Sequence, residues 1–176
     1  DCVHALFERV DFSHPARWPA IIDQVLASHP PAPAARPDAD AVRRAAPMLR
    51  RLLDDVLHTR LPGDIVLATL RPRQRLVELA FHLPTAGLTA ARLNGWLAAH
   101  GYPLPRLACA ALDGYLKGFI DLVFEDAGRY HILDWKSNHL GFSAGDYGQR
   151  RLASAMAEHG YHLQHLIYSV ALQRYL

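Results

Sequence analysis

The stretch GFIDLVFEDAGRYHILDWKSNHLG, from Gly118 to Gly141, alternates apolar and polar residues on either side of a turn. A period of 2 broken by a Gly-bearing turn predicts two short strands, which commits this part of the chain to a sheet. Each strand nevertheless places an aspartate where the pattern favours an apolar residue, Asp121 and Asp134, and Lys136 follows two positions later. With a loop of Asp126-Ala127, or of Glu125 to Gly128, Phe124 pairs with Arg129 and Asp121 with Ile132. Asp121 and Asp134 are then diagonal neighbours on one face, with Cα atoms about 7–8 Å apart. A three-residue loop would turn them to opposite faces, so register decides whether they meet.

Two carboxylates converging at the end of a sheet repel each other and lose hydration unless a cation lies between them. A hard divalent ion such as Mg²⁺ accepts carboxylate oxygens and keeps several waters. It acidifies a water and offsets charge on a phosphoryl oxygen. Lys136 can point at that water or at a phosphate. Asp-x-Lys with a second acid on a paired strand therefore suits metal-assisted phosphodiester hydrolysis. Spacing alone supports equally well an exposed Asp134–Lys136 ion pair worth less than ~1 kcal/mol.

The rest of the chain supplies the frame. Residues 2–10 have helical spacing, with Val3, Phe7 and Val10 on one side, and 17–27 predict a second helix with Pro19 in its first turn. A Pro/Ala-rich loop follows at 28–40, then a longer helix to His58, stopped by Leu61-Pro62-Gly63. Segments 64–70 and 74–83 read as strands joined by Arg71-Pro72-Arg73. A helix over 88–101 closes at Gly101, and helices over 147–158 and 161–175 end the chain. The order predicts an α/β domain, its sheet mixed or antiparallel and covered by helices.

Composition narrows the function classes. At 176 residues the chain suits one domain, 1–176, and it reads as a piece of a longer polypeptide. No apolar run approaches the roughly 20 residues that cross a bilayer. Cys2 and Cys109 form no disulfide framework or CxxC metal signature, which fits a cytoplasmic setting. A net charge of +2 does not announce a nucleic-acid binder. Arg43, Arg44, Arg50, Arg51, Arg60, Arg71, Arg73 and Arg75 cluster; a solvated face is the default and a phosphate-tracking surface the alternative. Of 19 basic residues only Lys117 and Lys136 are lysines, so both are candidates for places needing a compact ammonium. His159, His162 and His165 lack a fourth ligand for zinc and are expected to be solvent-exposed. Glu78 reads as an edge-strand surface residue, with a supporting carboxylate as the alternative.

The block GFIDLVF…GRYHILDWKSNHLG closely resembles the motif region of RecB-type nuclease domains, members of the PD-(D/E)XK superfamily. VHALFE at the start, VELAFHLP in the middle and YHLQHLIYSVALQRYL at the end match that family in the same order. The resemblance implies a restriction-endonuclease-like core, a mixed central sheet of four or more strands flanked by helices. It implies that His4, Asp121 and Asp134 ligate Mg²⁺ with the backbone carbonyl of Trp135, and that Asp121, Asp134 and Lys136 are catalytic. Mn²⁺ is the expected substitute and Ca²⁺ an inhibitor. Gln164 and Tyr168 match a Gln-x-x-x-Tyr helix motif expected to contact substrate, and Lys117 is a candidate backbone contact. Trp135 stands where relatives commonly carry tyrosine, which a backbone ligand survives.

The implied activity is a metal-dependent exodeoxyribonuclease in double-strand-break repair and recombination. It would act chiefly on single strands fed by a helicase, alongside RecC, RecD and RecA. No Walker motif is present, so any motor lies outside these residues. The competing reading is a nuclease-like fold kept as a docking module for RecA or partner subunits. A plain DNA-binding regulator lacks any helix-turn-helix or zinc-finger spacing.

Overall fold

A computed structural model of the chain describes residues 2–30, 39–102, 107–108 and 114–176. Most of the Pro/Ala-rich loop and most of the connector after Tyr102, including Cys109, lie outside the described residues. Six helices are present among them: α1 (Cys2–Arg9), α2 (Trp18–Ser28), α3 (Ala39–His58), α4 (Ala90–Ala99), α5 (Gln149–Glu158) and α6 (Tyr161–Tyr175). Three strands, β1 (Arg75–Pro84), β2 (Tyr115–Asp126) and β3 (Arg129–Leu133), form one sheet in the order β1-β2-β3.

The sheet is antiparallel. β2 and β3 pair from Asp126↔Arg129 to Leu122↔Leu133. Gln74 Nε2 reaches the Glu125 carbonyl at one end of β1, and Thr85 N–H donates to Gly114 O at the other. Three antiparallel strands are found among the described residues, which is the antiparallel alternative of the sequence reading. The four or more strands of a mixed sheet that the resemblance implies are not all seen there.

The missing strand is 64–70. Gly63 and Asp64 both take positive φ, 81° and 62°, and the segment makes only one bridge, Arg60↔Val66. It then coils into a 3-10 turn at Leu67–Thr69. Leu67 and Leu70 are buried and lie three apart, which suits a 3-10 turn and defeats alternation.

The chain divides into two compact units, Asp1–Leu79 with Asp121–Trp135, and Ala80–Ile120 with Lys136–Leu176. In the first, α1, α2 and α3 bury one continuous cluster that includes Leu6, Phe7, Trp18, Val25, Leu53, Leu57, Leu122 and Phe124. Trp18 is fully buried, and its indole N–H donates to the Asp11 carbonyl at 2.7 Å. Arg75 lies under the same roof. Its guanidinium sits 3.9 Å from the Phe12 ring centroid, donates to Val10 O and pairs with Asp11 at 3.4 Å. Burial lowers the pKa of Arg75, against the pull of Asp11, and the group stays charged. On α3, Arg43, Arg50 and Arg51 pair with Asp40, Asp54 and Asp55 one turn away, and Arg60 pairs with Asp64. Carboxylates thus match the exposed side chains of Arg43, Arg50, Arg51 and Arg60, which favours the solvated-face reading for these four.

In the second unit, Phe81, Ala90, Leu97, Ile120, Tyr168, Ala171 and Leu172 are buried. Thr89 caps α4 by accepting from Arg92 N at 3.2 Å. Gly160, at φ 68°, supplies the left-handed turn from α5 into α6.

Candidate active site

Register brings the two aspartates together more directly than the sequence predicts. Ala127 and Gly128, with φ of 50° and 75°, form a two-residue turn. Asp126 is therefore already paired, with Arg129, and Phe124 faces His131 instead of Arg129. Continued one step past Leu122↔Leu133, the ladder sets Asp121 opposite Asp134, not diagonal to it. Regular pairing ends at Leu133, so Asp134 and Lys136 follow the strand instead of lying within it. The cause is visible at the next residue: Trp135 N–H donates to the Asp121 side chain, at 2.8 Å from Oδ2, and not to a strand carbonyl.

His4, on α1, approaches the same oxygen, with Nε2 3.7 Å from Asp121 Oδ2. Asp121 is 13% exposed there and His4 35%. The Oδ2 atom of Asp134 is shut off from solvent. Glu78 belongs to this neighbourhood, contrary to its reading as a surface residue. Its backbone takes φ 53° in the middle of β1, a left-handed conformation uncommon for a residue with a side chain. Burial pushes the Glu78 carboxyl up, the charges on Asp121 and Glu8 push it further, and His4 pulls the other way. His4, Glu8, Glu78 and Asp121 therefore sense one another within the first unit. No sequence period signals Glu78, because the kink that places it breaks the alternation.

Glu78 carries a stability cost at neutral pH. A carboxyl whose pKa rises on folding favours the fold below its unfolded pKa, and that contribution is lost as pH climbs through the folded value. Glu78→Gln removes the cost. In chelator, the variant is expected to melt about 2 °C higher than the parent at pH 7, with the gap closing toward pH 4. Solvent screening keeps the effect below about 1 kcal/mol. A gap independent of pH would show that Glu78 does not feel the cluster.

The carboxylates are donors that a hard divalent ion takes, and the imidazole of His4 adds a nitrogen donor that softer divalent ions also accept. Among the described residues, no group of three or more His, Cys, Asp or Glu side chains is drawn tightly enough to enclose an ion. His4 and Asp121 lie 3.7 Å apart, and the acidic surroundings attract a cation without forming a finished cage.

The lysine arm belongs to the second unit. Lys136 Nζ donates to Gln164 Oε1 at 2.8 Å and lies 4.2 Å from the centroid of the Tyr161 ring. Gln164 Nε2 in turn donates to the Tyr168 hydroxyl at 2.8 Å, and Tyr161 OH donates to Asn138 Oδ1. Gln164 and Tyr168, one helical turn apart, thus form a chain that fixes the ammonium. Tyr168 is buried and meets the Phe81 ring edge-on. Tyr161 is a participant that the sequence reading missed; its only signal is its place three residues before Gln164 on one helix face. Lys117 is exposed. His159, His162 and His165 form no metal-ligand group among the described residues.

The sequence profile of the PD-(D/E)XK nuclease superfamily matches residues 1–175. The RecBCD enzyme subunit RecB of Escherichia coli is 35% identical over 179 residues, covering 99% of this chain and 14% of that protein. RecBCD enzyme subunit RecB of Mycobacterium tuberculosis (strain H37Rv) is 37% identical over 199 residues, covering 99% of this chain and 18% of that protein. The Haemophilus influenzae subunit is 36% identical over 132 residues. The chain spans less than a fifth of the length of these relatives.

Proposed function

The chain belongs to the PD-(D/E)XK nuclease superfamily, and from that premise we propose that residues 1–176 are one Mg²⁺-dependent exodeoxyribonuclease domain of a RecB-like subunit. The observation that supports this most is the β2–β3 register, which carries Asp121 and Asp134 to the same end of the hairpin, with His4 3.7 Å from Asp121 and Trp135 N–H bonded to it. His4, Asp121, Asp134 and the Trp135 carbonyl would hold Mg²⁺, which acidifies a water and offsets charge on the scissile phosphate. Mn²⁺ would substitute, and Ca²⁺ would bind without supporting cleavage.

The chain's own groups do the rest. The Trp135 N–H, donating to Oδ2, fixes the rotamer of Asp121. Lys136, two residues beyond Asp134, is the group proposed to orient the attacking water and to balance charge at the phosphate. Gln164 limits where its ammonium can go. The substrate is DNA, chiefly single strands delivered by a helicase during recombinational repair, in a cytoplasmic assembly with RecC- and RecD-like subunits and RecA. No helix among the described residues is long and apolar enough to cross a membrane.

The test is cleavage of a labelled single-stranded oligonucleotide with Mg²⁺, for the parent and Asp134→Ala. Cleavage that requires Mg²⁺ and falls at least about 100-fold in the variant is expected. Full activity in Asp134→Ala, with the fold intact, would remove the hydrolytic assignment. Titration calorimetry separates the docking alternative, which predicts no heat of Mg²⁺ binding that depends on Asp121.

A further inference from the structure

A cavity of about 330 Å³ opens within the second unit. Phe81, Leu163 and Ile167 give it an apolar lining, and Lys117 and His159 bring polar groups to it. Gly118 makes it possible: a Cβ there would lie 2.5 Å from Phe81 Cζ and 2.9 Å from Cε1, so any side chain would displace the ring. His159 and Tyr161 stack with centroids 5.4 Å apart. Tyr161 and Gln164, which hold Lys136 in place, also line the cavity, so it is continuous with the lysine arm.

We propose that this cavity receives one unpaired base of the DNA strand, with Lys117 against that nucleotide's phosphate, and that it selects single-stranded over duplex substrate. The inference rests on the nuclease reading and extends it to a substrate subsite. The volume lies at the small end of ligand pockets, about 300–1,000 Å³, and suits one nucleotide unit. Aromatic and apolar walls accept the face of any base. A paired base enters only after unstacking, which costs a few kcal/mol and handicaps duplex. Gln164 spends its carbonyl on Lys136 and its amide on Tyr168, which leaves little to read base edges. The subsite therefore detects the presence of a base and tolerates its identity.

The experiment uses the full chain in chelator and a fluorescent oligothymidine in which a single abasic nucleotide is walked along the strand. One position is expected to weaken binding about 5- to 100-fold, the range that one stacked base supplies. Ile167→Trp, which fills the cavity, is expected to erase that positional dependence, and Lys117→Ala to reduce the salt slope by about 0.7. If Ile167→Trp does not fold, the abasic walk on the unaltered chain decides alone. A flat profile, while the same oligonucleotide is still cleaved with Mg²⁺, overturns the subsite and leaves the nuclease reading standing. Absence of both binding and cleavage overturns both.

Discussion

Lys136→Ala is expected to lower single-strand cleavage by about 100- to 10,000-fold, the range lost when a positioned proton-handling group is removed. The melting temperature should hardly move, because Lys136 is exposed and its hydrogen bond to Gln164 is worth about 1 kcal/mol or less. Lys136→Arg sharpens the test. The chain otherwise meets its need for positive charge with arginine, keeping lysine at only two positions. A guanidinium preserves charge, but its planar fork cannot reproduce a single ammonium donating to Gln164 Oε1 from beside the Tyr161 ring. Lys136→Arg should therefore recover little activity. Gln164→Leu should cost about 10-fold, through a less confined ammonium. Parent-like rates in Lys136→Arg would reduce the role of Lys136 to charge alone, and parent-like rates in Lys136→Ala would end its assignment.

Much of this geometry was legible in the letters, and the exceptions have physical causes. Strand period and two aspartates in 118–136 predict a hairpin with both acids on one face, and the observed register keeps them there. The predicted pairing is two residues out because Asp126 was assigned to the loop, whereas Ala127-Gly128 alone supplies the two positive φ angles that a tight hairpin needs. Segment 64–70 has strand alternation, but Gly63 and Asp64 impose a turn and the burial of Leu67 and Leu70 rewards a 3-10 coil. The sequence leaves Glu78 between a surface residue and a supporting carboxylate for a related reason: one left-handed residue inside β1 is invisible to any period. Gln164 and Tyr168 were recognised by motif, yet their bonds to Lys136 and to each other come from packing that no spacing rule encodes. Motif resemblance named the acids, and coordinates were needed to show what orients them.

Trp135 offers the second large effect, because it ties the hairpin to the helix that carries His4. Its ring stacks on Phe7 at 4.1 Å between centroids and 19° between planes, and Phe7 is 2% exposed. Phe7 lies three residues after His4 on α1, so both project from one side of that helix. The backbone of Trp135 meanwhile holds Asp121. One residue thus holds Asp121 through its N–H and, through Phe7, supports the helix that carries His4. Trp135→Ala removes the aromatic contact and opens a void, an expected loss of about 2–4 kcal/mol or roughly 5–15 °C in melting temperature. Mg²⁺ affinity measured below the melting transition should fall as well, because α1 loses its anchor. Trp135→Tyr, which keeps a ring and leaves the backbone unchanged, should lose about 1 kcal/mol or less and retain metal binding. Asp134→Ala supplies the contrast, weakening metal binding without the drop in melting temperature. If Trp135→Ala melts early yet binds Mg²⁺ as the parent does, the ring supports the fold alone and His4 is placed by something else.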